Sequence, residues 1–180
     1  MLPLKIGFLF FRPKRTYELI DEKCEVTKGI AWMVFCYVSI STLTSFIGSQ
    51  RFDPFYFAFS TFTLMPTWLL STHLTLFLAK KFGGSVDYAK YIEASAIAVT
   101  PYFVGTLVVT PLTYGSAGHF SILLAIPLSI IAIWILVVGI SLLKTLVKLS
   151  TRRSIAIYFI SIILFWIVYG ISFNLYWYLA

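Results

Sequence analysis

The chain has 180 residues, of which 59% are hydrophobic and 12% charged, with a net charge of +7 and a mean hydropathy of +0.91. Soluble domains carry about 25% charged residues, so this composition excludes an ordinary soluble domain. Lys, Arg, Asp and Glu are missing from residues 29–50, 55–79, 94–143 and 154–180. A helix crosses the hydrocarbon core of a bilayer with roughly 20 apolar residues, and the longest of these windows has room for two. The expected fold is therefore all-α: a polytopic membrane protein with five transmembrane helices over 29–180 and an N-terminal interfacial amphipathic segment over 1–28.

Residues 1–28 hold six of the fourteen basic residues and four of the seven acids. Phe8, Leu9, Phe10 and Phe11 lead into Arg12-Pro13-Lys14-Arg15, and Pro13 suits a first helical turn because its missing N–H has no partner to lose there. Tyr17, Ile20 and Cys24 share a helical face, which predicts a short amphipathic helix resting on headgroups. Arg12, Lys14 and Arg15 would touch the membrane surface. The apolar run 6–11 is too short for a cleavable signal. Cys24 and Cys36 have no metal or redox spacing and read as small hydrophobes.

The first span, about 29–47, is rich in hydroxyls, and a loop over 48–54 follows it. In the second, 55–79, Ser60, Thr63, Thr67, Ser71 and Thr75 recur at helical offsets and form one polar stripe. Such hydroxyls usually bond within their helix or to a neighbour; the other reading is a polar path, with His73 near its basic end. Lys80, Lys81, Gly83 and Gly84 open the next loop, and the third span is expected over 94–114. Ala94, Ala98, Pro101 and Gly105 fall on one of its faces, which would let a neighbouring backbone approach closely. Residues 115–119 make a turn. The fourth span, about 120–143, holds Pro127, Trp134 and Gly139, and the fifth runs over about 154–175.

With the N-terminus in the cytoplasm, thirteen of fourteen Lys and Arg fall inside and Arg51 alone outside. The positive-inside rule then predicts N-in, C-out. It also explains the net charge by placement in cytoplasmic loops, with no need for nucleic acid.

Ionisable groups within spans are the usual pointers to transport or proton relay, and the sequence has almost none. His73 has neither a carboxylate nor a second His on its face, so a packed, hydrogen-bonded role is expected. Glu93 is read as a dipole-favoured anion at the start of the third helix. No nucleophile–base pair, metal spacing or phosphate loop is present, so neither an enzyme nor a cofactor is expected.

Phe82-Gly83-Gly84, the helix entry with Ala94 and Ala98, and Pro101 within that helix resemble the Yip domain family of Ypt/Rab-interacting integral membrane proteins. Trp134 and Gly139 in the fourth span look like the family's Trp and Gly. Leu149-Ser150, Ala156 and the Arg12-Pro13 entry also fit. The resemblance implies a five-helix membrane protein with a cytoplasmic N-terminus, acting through helix packing, oligomerisation or recruitment of membrane partners. The long hydrophilic N-terminal region and acidic Tyr/Pro motif of eukaryotic members are missing. That speaks against Rab-type GTPase binding and for the prokaryotic branch, in a plasma membrane; a eukaryotic member would sit in the Golgi or endoplasmic reticulum. The alternative from another class is a small channel or transporter built on the hydroxyl-lined second span.

Overall fold

The computed structural model describes residues 1–49, 54–115 and 122–179. Among these there is no strand, and eight helices follow one another: α1 (Leu2–Phe11), α2 (Pro13–Glu22), α3 (Val26–Ser49), α4 (Pro54–Lys81), α5 (Tyr88–Ile97), α6 (Thr100–Gly115), α7 (Ile122–Thr145) and α8 (Thr151–Leu179). Among the described residues, five spans are long and apolar enough to cross a membrane, the third running through α5 and α6. The turn expected over 115–119 lies almost wholly outside the described residues, as do positions 50–53 of the first loop.

The spans close a ring. α3 packs on α4, α4 on α8, α8 on α7, α7 on α6, and α6 back on α3. α5 lies mainly against α3. Large apolar side chains such as Phe62, Ile130, Ile133 and Ile163 point outward, as a bilayer-facing surface requires, because burial in lipid satisfies them as well as a protein core does.

The third span differs from one unbroken helix over 94–114. It starts earlier, at Tyr88, where the Asp87 carboxylate accepts from Ala89 N–H at 2.7 Å and caps the helix. It then breaks at Ala98 and Val99. The cause is Pro101, which has no N–H to offer the Ile97 carbonyl and whose ring crowds it. The hydroxyl of Thr100 donates to that carbonyl instead, at 2.6 Å, and accepts from the Trp32 indole N–H at 2.9 Å. The break is therefore hydrogen-bonded and tied to α3.

The N-terminal segment is a hairpin of two helices, not one. Pro13 starts α2, and it pushes the preceding Arg12 out of the helical region, to φ −145° and ψ 68°. Thr16 Oγ1 closes the hairpin by donating to Lys5 O at 2.9 Å. The face carrying Tyr17 and Ile20 is turned into the bundle, where Leu9, Tyr17 and Ile20 join one core with the ends of α4, α5, α7 and α8. Cys24 lies beyond α2 and is exposed.

Candidate functional site: a cavity inside the helix ring

Glu93 is not the cap of its helix; Asp87 is. Glu93 has no exposed surface and meets Lys5, equally buried, at 2.5 Å. Lys5 also donates to Lys23 O at 2.6 Å, and the second Glu93 oxygen accepts from Glu25 N–H at 2.5 Å. Burying two charged groups is costly unless each is paired and hydrogen-bonded; here both are. Gly29 makes the room, since a Cβ there would meet Glu93 Cγ at 2.9 Å. One carboxylate thereby holds α1, the α2–α3 junction and α5 together.

The hairpin is fastened at two further points. Tyr17 OH donates to Val138 O of α7 at 3.1 Å, and burial pushes this phenol's pKa well up, keeping it a donor. Asp21 accepts from Lys90 at 2.6 Å, and that hydrogen bond holds its carboxyl below the usual range. Glu25 is likewise lowered, chiefly by the hydrogen bond from Lys28.

Directly beyond the hairpin, the ring encloses a cavity of about 230 Å³. Its walls come from Tyr37 of α3, Trp68, Ser71, Thr72 and Thr75 of α4, and Tyr91, Ser95 and Ala98 of the third span. Ile135, Gly139 and Leu143 of α7 and Tyr158, Ser161 and Trp166 of α8 complete them. The hydroxyls cluster toward the end of the bundle that carries the basic loops. Thr75 Oγ1 lies 2.6 Å from Ser161 Oγ, and each also bonds a carbonyl one turn back on its own helix. The far end is aromatic, with Phe165, Trp166 and Tyr102. Trp166 is half exposed, and with half-buried Ile135 and Ile162 it forms a rim between α7 and α8.

The hydroxyl stripe of the second span is divided. Ser71 and Thr75 line this cavity, whereas Ser60 and Thr63 line a separate void of about 10 Å³ beside Tyr56, Phe59 and Tyr169. Thr67 is buried between them. His73 stands apart on the outer face of α4, its Nδ1 2.7 Å from Leu69 O and its Nε2 2.7 Å from Tyr88 OH.

The small residues sit at close contacts. Gly83, at φ +87°, ends α4 in the left-handed region that favours glycine. Its N–H bonds Lys80 O and that of Gly84 bonds Ala79 O. A Cβ on Gly84 would meet Val147 Cγ1 at 2.5 Å, and Phe82 O accepts from Arg153 at 2.9 Å. Ala94, Pro101 and Gly105 are buried and Ala98 half-buried; a Cβ on Gly105 would lie 2.7 Å from Ile131 Cγ2 of α7. Gly139 lies under the ring of Tyr158, which a Cβ would overlap, and Tyr158 OH donates to Ile135 O at 3.0 Å. Trp134 stacks at a tilt on Phe10, ring centres 4.6 Å apart. Arg12, Lys14 and Arg15 are exposed at the hairpin elbow.

Three residues at this site carry no local signal. Lys5 reads as one more N-terminal cation, Thr100 as one more hydroxyl, and Tyr158 as one more aromatic. Only the Pro101 that strands the Ile97 carbonyl hints at a donor nearby. Among the described residues no group of His, Cys, Asp and Glu is placed to hold a metal ion.

No curated protein and no solved structure matches the chain. A family model does: the Yip1 domain, over residues 6–173. With nearly its whole length matched and five apolar helices to cross a bilayer, the chain belongs to the Yip1 domain family of integral membrane proteins.

Proposed function

We propose that this protein acts by binding rather than by chemistry. It is a non-enzymatic, multi-pass membrane protein that holds an amphiphilic guest in its ring and recruits partners, or a second copy, within the bilayer. The observation behind this reading is the cavity: apolar walls, hydroxyls gathered at one end, and a rim facing the membrane between α7 and α8. Pockets of this kind bind mostly apolar molecules and orient them with a few polar groups. Thr75 and Ser161 are bonded to backbone carbonyls rather than to a base, so neither is set up as a nucleophile.

The test is lipid retention. Protein purified in mild detergent should carry, or take up, a single-chain amphiphile detectable by native mass spectrometry. Ser161→Phe, which fills the cavity, should remove it while the thermal midpoint holds. Absence of any guest from the parent protein, or equal loading of Ser161→Phe, would refute the reading.

The stripe that touches both voids favours a second reading, a small transporter whose path runs along α4. Solute flux into liposomes containing the purified protein distinguishes the two. For orientation, the charge count supports a cytoplasmic N-terminus and an extracytoplasmic C-terminus. A reporter active only in the cytoplasm should be silent when fused after Ala180.

A further inference from the structure

We infer that the elbow between α1 and α2 is a recognition site for a phosphate-bearing anion, with the headgroup of an anionic phospholipid as its occupant. A cleft of about 490 Å³ opens there, lined by Phe8, Arg12, Lys14, Arg15 and, from α7, Ser141. Glu18 also faces it, but it is already engaged, 3.8 Å from Lys14 and 3.2 Å from Arg15. Arg15 reaches Glu22 as well, at 3.5 Å. Arg12 has no ion pair among the described residues. Its guanidinium is the group with hydrogen-bonding capacity to give, and that fork suits phosphate oxygens.

The cleft is held in shape from behind. The Phe10–Trp134 contact pins the end of α1 to α7, Tyr17 pins α2 to α7 one residue from Gly139, and buried Thr16 ties the two helices together. A cationic site on an ordered scaffold loses less freedom on binding than the same charges on a loose tail.

Two features favour a lipid over a soluble phosphate. Ser141 lies one turn from the end of α7, beside Lys144, so the cleft is level with the basic end of the bundle. On α1, Phe10 and Phe11 are exposed next to it, Phe11 almost fully, and exposed aromatics beside cations are what a helix at the headgroup level presents. An amphiphile would satisfy both surfaces at once.

The experiment uses the full chain in neutral detergent and follows its thermal midpoint. Phosphatidylglycerol or phosphatidylcholine is titrated into the micelles, and inorganic phosphate is added in a separate arm. Phosphatidylglycerol should raise the midpoint saturably, and phosphatidylcholine should not. The double variant Arg12→Gln/Lys14→Gln should need about tenfold more phosphatidylglycerol or lose the shift, as expected for losing charged hydrogen bonds. Lys80→Gln/Lys81→Gln, exposed lysines at the same end of the bundle, should respond like the parent. Should the elbow double variant fail to fold, Ser141→Phe obstructs the cleft without touching a charge and should give the same loss. Equal weakening by both lysine-bearing pairs would mean diffuse surface attraction and overturn the site. The same saturable shift with inorganic phosphate alone would overturn the lipid as occupant.

Discussion

Lys5 and Glu93 lie 88 positions apart in sequence, yet their charged groups meet at 2.5 Å with no solvent exposure on either side. The contact makes the N-terminal hairpin an integral part of the bundle. Removing one partner of a buried pair leaves the other charge uncompensated, at about 3–5 kcal/mol. Lys5→Met should lower detergent stability by that order and Glu93→Gln by less, because Lys5 keeps the Glu25 carboxylate at 4.0 Å. The combined variant should recover part of the loss, because it leaves no lone charge and the Gln oxygen still accepts from Glu25 N–H. Additive losses in this double-mutant cycle would show that the pair is not coupled.

Gly139 should tolerate no side chain while Tyr158 is present. Gly139→Ala forces that ring off Ile135 O, and overpacking of this kind costs about 1–3 kcal/mol. Tyr158→Ala should relieve most of the clash in combination, even though alone it loses a hydrogen bond and packing. Thermal unfolding of the three variants checks this.

The seam formed by Gly105 and α7 predicts a contrast along one helix. Gly105→Leu places carbon atoms where Ile131 stands, and stability should fall. Val108→Leu, at a position 44% exposed toward the outside of the ring, should be close to neutral, because lipid is as apolar as leucine. Equal tolerance at both positions would remove the case for a packed seam.

Acid should loosen the hairpin. The Asp21 carboxyl is depressed, first by its hydrogen bond from Lys90, so its contribution is present above the ordinary Asp pKa of about 3.9. It is lost as pH falls through the lower folded value. Asp21→Ala should therefore be less stable than the parent at neutral pH and converge with it only once the pH has fallen below the lowered folded pKa, where Asp21 is protonated in both states. The effect is small because the pair is exposed, and a constant gap across that range would show that Asp21 acts through packing instead.

The fold was legible in the sequence because membrane insertion is written locally. Charge-free windows near 20 residues long, separated by Lys and Arg clusters, have one stable outcome in a bilayer, and the five spans follow from it. Phe82-Gly83-Gly84 was equally readable, since the left-handed backbone that ends α4 favours glycine whatever packs beside it. The cavity and the hairpin were not. Tyr17 and Ile20 announce an apolar face, but a lipid surface and a protein core satisfy that face equally, and nothing local chooses between them. The choice was made by Glu93, whose buried carboxylate needs a cation, and by Gly29, which leaves space for it. Lys5 supplies that cation across most of a bundle, a relation between distant positions that no window of sequence contains. Likewise the stripe on α4 could be seen as polar, but whether Thr75 meets lipid, water or Ser161 depends on α8 closing the ring against it.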